Sequence, residues 1–244
     1  MVDSNLTSTI PMNLRAYLGL RAEILASRLR PGERLKIQQL CSRLKVSPGA
    51  VRESLASLCA EGFVVSEPWK GFRVAPISVE DLDDLTRTRL TIDIICLRQS
   101  IEGGGIEWET QLVAADHRLS RLSQQIGPDG LQASDEWAEA HAHYHLSLVA
   151  ACGSPSLLHV RQGLFAQSER YRRLSLTPRP GRDLDAEHRA MARAALDRDA
   201  DRACILMSDH LLMTPFLVRR FTEHFDKLAV NDDASAPSRA LRGR

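Results

Sequence analysis

The chain has 244 residues, 43% of them hydrophobic, 26% charged and 5% aromatic, with a formal net charge of +1; this is the composition of a globular protein of one large or two ordinary domains. No apolar run approaches the roughly 20 residues of a membrane span, and the start MVDSNLTSTIPMNL lacks the basic-then-apolar order of a secretory signal, so a cytoplasmic protein with no membrane partner is expected. The small net charge hides an asymmetry: residues 1–77 carry 11 Lys and Arg against 6 Asp and Glu, and residues 78–244 carry 21 against 25. A basic first third on an acidic body suggests a module that faces nucleic acid. The five cysteines are scattered without a C-x-x-C pair, which excludes a disulfide frame or a zinc ribbon.

Residues 1–12 are polar and read as a flexible N-terminus. Leu14, Tyr17, Leu18, Ile24, Leu25 and Leu29 have helical spacing over 14–29, and Pro31-Gly32 makes a turn. Ile37 to Leu44 reads as a short second helix. Ser47-Pro48 is an N-cap followed by proline at the first helical position, opening a third helix that runs to about Ala60. Phe63 to Ser66 and Gly71 to Val74 are strand-like, joined by the turn-prone Glu67-Pro68-Trp69-Lys70. Three helices followed by a hairpin is the order of a winged helix-turn-helix, over 13–77. Ser78-Val79-Glu80-Asp81 is then a capping box opening a second domain over 78–228, which reads as helix to about Phe225, broken at Gly103 to Gly105, Gly127 to Gly130, Gly153 to Pro155 and Thr177 to Gly181. The polar tail 229–244 is expected to be disordered. The fold class is mostly α: a winged helix-turn-helix with a small β-hairpin, then an all-α bundle.

In a helix-turn-helix the second helix enters the major groove and its N-terminal residues meet bases and phosphates. Here that helix begins Ser47-Pro48-Gly49-Ala50-Val51-Arg52. Its small first turn, with Gly49, permits close approach. Ser47 caps the helix or bonds a phosphate, and the Arg52 guanidinium reaches a base edge or phosphate. On the wing, Lys70 and Arg73 place two cations beside Gly71. The same pattern also describes an ordinary helical hairpin with solvated arginines. A single winged helix reads one half-site, so a homodimer on a pseudo-palindromic stretch of double-stranded operator DNA is expected.

Pro31-Gly32-Glu33, Leu35, Val46-Ser47, Val51-Arg52-Glu53, Leu55, Leu58 and Glu61-Gly62 together resemble the winged-helix signature of the GntR superfamily of transcriptional regulators. The resemblance covers residues 14–77 and implies operator binding. Many members have Arg-Thr-Pro after the serine, where this chain has Pro48-Gly49-Ala50, so the resemblance implies an operator of different sequence.

Among eight histidines, four form pairs. His141 and His145 are four apart on the helix read over 134–151, so their rings share a face, a natural spacing for two metal ligands. His188 and His210 each lie ten or eleven residues from the break at Arg198-Asp199. If the helices of 184–196 and 201–225 pack antiparallel about it, the two rings stand side by side. Both pairs could then converge on one divalent ion, imidazole ligands suiting zinc, nickel or copper, with zinc or nickel expected first. The alternative is four helix histidines without an ion. His117, His143, His159 and His224 are read as surface residues.

Tyr144-His145, Glu187-His188 and His210-Leu211, the last two histidines 22 apart, are similar to the pattern of the FadR-type (FCD) ligand domain of that superfamily. His141 stands where many members carry Asp. The resemblance implies a metal at these four residues and a small carboxylate effector, and Arg89 with Asp93 looks like the branch's R-x-x-x-E step, implying that Arg89 grips the effector carboxylate. By spacing alone, Arg89 and Asp93 read rather as an i,i+4 ion pair. Ser168 to Arg173 is a further polar cluster. The chain resembles most those repressors that respond to short dicarboxylates such as glutarate. A helical metalloenzyme built on the same histidines is the rival reading, but no H-E-x-x-H, G-x-S-x-G or phosphate loop is present, and the basic module would then have no role.

Overall fold

A computed structural model describes residues 11–122, 134–174 and 182–220. The contacts divide the chain between Ile77 and Ser78. The first unit runs α1 (Met12–Leu25), β1 (Arg34–Leu35), α2 (Ile37–Leu44), α3 (Pro48–Ala60), β2 (Val64–Glu67) and β3 (Gly71–Val74). The three strands form an antiparallel sheet in the order β1-β3-β2, with Val64 opposite Val74 and Glu67 opposite Gly71. β1 is two residues long, too short to leave an alternation in the sequence, and only its pairing with β3 reveals it.

Local chemistry places α3. Lys45 ends α2 in the left-handed conformation (φ 54°), and the Ser47 hydroxyl accepts from the Ala50 amide at 3.3 Å to start α3. Val51, Leu55 and Leu58 are fully buried, so the opposite face of α3 is presented outward. α1 starts and stops earlier than its apolar spacing suggests, because Ser27 turns left-handed (φ 56°). Its buried face is Ala16, Leu20 and Ile24; Leu14 and Leu18 are 44% and 48% exposed.

The second unit contains six described helices: α4 (Val79–Gly103), α5 (Ile106–Arg121), α6 (Asp135–Ser147), α7 (Pro155–Leu174), α8 (Leu184–Leu196) and α9 (Ala200–Arg220). Serine or aspartate side chains open five of them: Ser78 accepts from Asp81 N at 3.0 Å, Ser134 from Trp137 N at 3.1 Å, Ser154 from Leu157 N at 3.3 Å, Asp183 from Ala186 N at 2.9 Å and Asp199 from Arg202 N at 3.0 Å. α4 packs on α7 and α9, and α5 packs on α6 and α8. Trp137, Tyr144, Leu97, Leu112 and Leu119 fill the core. α6 is shorter than read, ending at Ser147; Leu148 and Val149 continue inward as a turn because both are fully buried. The glycine breaks at 127–130 and 177–181 and the tail 229–244 lie outside the described residues. Among the described helices none is long and apolar enough to cross a membrane.

The turn between α4 and α5 is set by Gly104. A methyl group there would stand 2.4 Å from the Trp108 ring and 2.6 Å from Ser100 O. Trp108 cannot yield, since it is buried and its indole N–H donates to Ser147 O at 2.8 Å. Gly104→Ala is therefore expected to lower stability by about 1–3 kcal/mol, the usual cost of overpacking. Gly103→Ala, with its nearest neighbour 3.7 Å away, should be neutral or slightly stabilising. Denaturant midpoints of the two variants check the difference.

Candidate functional site

On α3, Ser47, Gly49 and Arg52 are exposed, as the outward face of a recognition helix requires. On the wing, Lys70 and Gly71 are exposed as well. Arg73 is half-buried and held within the wing, its guanidinium 2.8 Å from the Glu67 carboxylate.

In the helical unit the four histidines come together. α6 presents His141 and His145 on one face, and the left-handed Arg198 (φ 62°) turns α8 back on α9 so that His188 meets His210 with ring centroids 4.9 Å apart. All four are buried, each offering one nitrogen, and these atoms lie within 4.8 Å of one another. Neighbouring residues fix the rings: Trp137 stacks on His141 at 4.7 Å, and the Tyr144 hydroxyl donates to His188 O at 2.7 Å.

The nitrogens are short of partners. Both of His188, and Nδ1 of His141 and of His145, are buried without a hydrogen bond. His141 Nδ1 stands 3.9 Å from Glu169, too far for one. Nε2 of His145 and Nε2 of His141 face each other at 3.1 Å. Burial, reinforced by nearby Arg172, Arg89 and the other imidazoles, pushes His141, His145 and His188 well below the ordinary imidazole range. Burial lowers His210 too, although its hydrogen bond to Glu187 opposes this. Burial thus favours the neutral rings, four of whose nitrogens are left unsatisfied, and an unsatisfied buried polar atom costs about 1–3 kcal/mol. A metal ion fits this donor set.

A carboxylate orients one of the rings from behind. Glu187 Oε2 lies 2.8 Å from His210 Nδ1, and Arg182 donates twice to the same carboxylate, each time at 2.6 Å. Burial alone would raise Glu187, but hydrogen bonds from Arg182 and His210 bring it down to about 2. The ionised carboxylate fixes the proton on His210 Nδ1 and leaves Nε2 as the donor to an ion, the usual support of a metal-binding histidine.

Beside the histidines is a cavity of about 30 Å³, lined by Thr86, Arg89, His141, His145, Ser168 and His210 among others. Arg89 is buried there; its Nε donates to Asp93 Oδ2 at 2.9 Å and its NH1 to the Ser168 hydroxyl at 2.6 Å. The i,i+4 ion pair and the cavity-facing role are therefore both present in one residue. The structure adds Arg161, which the sequence reading does not single out. Its Nε donates to the other oxygen of Asp93, and its NH2 donates to His145 O at 2.8 Å. Arg161, Phe165, Ser168 and Arg172 recur at helical spacing on α7, which is the signal that would have found it. Of the cluster 168–173, Ser168, Glu169 and Arg172 line the cavity, whereas the Tyr171 hydroxyl turns to Asp81. His117, His143 and His159 are exposed, and His224 lies outside the described residues.

Residues 13–74 match the family model for bacterial regulatory proteins of the gntR family, and residues 84–213 match that for the FCD domain. The chain belongs to the GntR family, among the regulators with an FCD domain. It is 39% identical over 203 residues to BphR, an uncharacterized HTH-type transcriptional regulator of Paraburkholderia xenovorans, with 83% of each chain covered. It is 35% identical over 205 residues to the HTH-type transcriptional repressor GlaR of Escherichia coli, covering 82% of this chain and 92% of that one. The structure of Escherichia coli McbR/YncC superposes with a TM-score of 0.71 over 87% of this chain and all of that one, at 17% identity, which bears on the fold. This GntR protein is a DNA-binding transcriptional regulator, and the family and its relatives are regulators rather than enzymes, so the metalloenzyme reading is set aside.

Asp93 is fully buried between two guanidinium groups. Removing it strands two buried cations, for which about 3–5 kcal/mol is typical. Asp93→Ala is expected to destabilise the helical unit by that amount, and Arg89→Met, which leaves the Arg161 pair intact, by less. Urea unfolding of both variants measures the difference.

Proposed function

We propose that this regulator is a repressor whose FCD domain holds a divalent ion, zinc or nickel, on His141, His145, His188 and His210, and binds a small carboxylate through Arg89. The observation that carries the metal is the meeting of four buried histidines, each with a nitrogen within 4.8 Å of the others, three of which also have a buried ring nitrogen without a hydrogen-bond partner. When bound, the ion supplies a Lewis-acidic attachment point for an effector oxygen.

The carboxylate is supported by charge. Arg89 and Arg161 are both buried and share the one carboxylate of Asp93, while Arg172 pairs with Glu169 and Arg182 with Glu187. Among the described residues one positive charge is left over beside the cavity. A guanidinium fork takes a carboxylate in two hydrogen bonds, and the Ser168 hydroxyl adds a third group at that spot. A second carboxylate on the effector would lie towards the histidines, which favours a dicarboxylate. The cavity, at about 30 Å³, has room for a water or two rather than for such a molecule, so the effector selects a more open arrangement and shifts the population towards it. The chain acts in the cytoplasm as a homodimer, one winged helix on each half of a pseudo-palindromic operator, with Ser47, Gly49, Arg52, Lys70, Gly71 and Arg73 at the DNA.

Elemental analysis of purified protein tests the metal: about one zinc or nickel per chain is expected, lost on EDTA treatment and absent from His188→Ala. Protein free of stoichiometric metal that binds glutarate as tightly as before would establish a metal-free regulator whose histidines only shape the pocket.

For the DNA side, Arg52→Ala should abolish sequence-specific retardation of an operator duplex with an unchanged circular dichroism spectrum. Unchanged specific affinity would remove α3 from the major groove.

A further inference from the structure

The wing carries an aromatic residue that the assignment of DNA contacts above leaves out. Glu67-Pro68-Trp69-Lys70 is a tight turn closed by Lys70 N donating to Glu67 O at 3.1 Å. Trp69 occupies its third position with φ 65°. With proline before it, this is the pattern of a type II turn, whose third position asks for glycine or asparagine because φ is positive there. A bulky side chain in the left-handed region is an outlier that local sterics disfavour.

Among the described residues the other left-handed ones with side chains are Ser27, just past α1, Lys45 and Arg198, and the last two earn their conformation inside the fold. Lys45 ends α2, and Arg198 turns α8 into α9 while its guanidinium donates to Ile101 O and Gly104 O. The indole of Trp69 gains nothing comparable: it is 104% exposed, more open than a side chain in an extended peptide. The protein therefore holds a large indole ring in water, on a strained backbone, at the tip of a hairpin. Strain kept without an internal gain points to an external partner.

What surrounds the ring says which partner. Lys70 follows it, exposed, and Gly71 at φ 86° lets the backbone come close to another surface. The unit that carries it has a surplus of 5 positive charges over residues 1–77 and holds the recognition helix. An apolar wedge beside a cation is a device with which proteins enter the minor groove and part a base step, and aromatic rings stack on bases of any sequence. We propose that Trp69 is a DNA-contacting residue of this regulator, its indole inserted against the bases of the groove beside the one read by α3, with Lys70 on the adjoining phosphates. The proposal rests on the winged unit being the DNA reader.

The test uses the full chain and a duplex selected against it from a randomised pool. Trp69→Gly relieves the turn and removes the ring, so two opposite changes are expected: a rise in melting temperature of a few degrees, as the strain of a left-handed residue implies, and a loss of affinity for the selected duplex of about 10- to 100-fold, the worth of one stacked base. Fluorescence gives a second reading, because the other two tryptophans, Trp108 and Trp137, are buried at 5% and 1% exposure. Saturating duplex should quench the long-wavelength emission of the wild type and leave that of Trp69→Gly unchanged. Unaltered duplex affinity in Trp69→Gly, or wild-type emission indifferent to saturating duplex, would overturn the proposal. So would a change of oligomeric state in Trp69→Gly without DNA, which would assign the ring to a second copy of the chain. Arg52→Ala separates the two levels: if it loses specific binding while Trp69→Gly keeps it, the wing contact fails and the DNA-reading assignment stands. Failure of the wild type to select any duplex would overturn both.

Discussion

The carboxylate of Asp93 has no access to water and accepts from guanidinium groups on two helices, Arg89 of α4 itself and Arg161 of α7. A buried charge of this kind is tolerable only while its partners stay in place, since each member left alone would face the full cost of desolvation. The consequence is geometric. Asp93 fixes where α7 sits on α4, Arg161 extends the bond network to the backbone of His145 at 2.8 Å, and Arg89 is left with one edge turned to the cavity and the Ser168 hydroxyl. The three-group knot therefore registers the cation side of the site against the helix that carries two of its histidines. Phe165 closes it from the apolar side, with the Arg89 and Arg161 guanidinium carbons 4.9 and 5.5 Å from its ring centre, where cation–π attraction adds to exclusion of water.

A second support holds the opposite wall. Glu187 is ionised by its contacts with Arg182 and His210, and it sets the proton of His210 on the nitrogen that points away from the cluster. On α6, Trp137, His141, Tyr144 and His145 follow helical spacing, so one helix face supplies two of the rings and the two large aromatics that pack them. The same burial that keeps the four imidazoles neutral keeps them competent as ligands, because a protonated ring has no lone pair to offer.

Much of this was legible in the sequence where the signal is local. The Ser47-Pro48 cap and the Ser78 capping box each act within a few residues, and the helices they begin start where the reading puts them. The meeting of His188 with His210 was legible for a different reason: equal distances from a sharp turn place two residues level on an antiparallel pair whatever else the chain does. What escaped depends on partners far apart in sequence. Arg161 meets Asp93 across 68 residues, and a two-residue strand such as β1 exists only because β3 lies beside it. The inward face of α1 was misread because Ala16 takes a place the reading gave to larger neighbours: a small side chain lets α1 approach α3 closely, and periodicity weighted by hydrophobicity overlooks it. Trp69 was read as part of a turn, since sequence reports turn propensity and not the sign of φ that makes this residue unusual.

In the proposed reading, the replacement of the branch's usual aspartate by His141 changes the electrostatics of the effector site more than its geometry. Four imidazoles bring no charge, so an ion among them keeps its two positive charges, and Arg89 adds the share that Asp93 leaves uncompensated. A site of that charge inside a helical core favours an anion with two acidic groups over one with a single group, because each takes up one of the two surpluses. Such an anion acts as a bridge between α4 and the histidine helices α6, α8 and α9. Any difference in its affinity between the free and the operator-bound regulator must appear equally as a difference in operator affinity with and without it. In that reading an effector that draws on Arg89 competes with the carboxylate that registers α4 against α7, while Arg161 keeps its hold on both Asp93 and the His145 backbone.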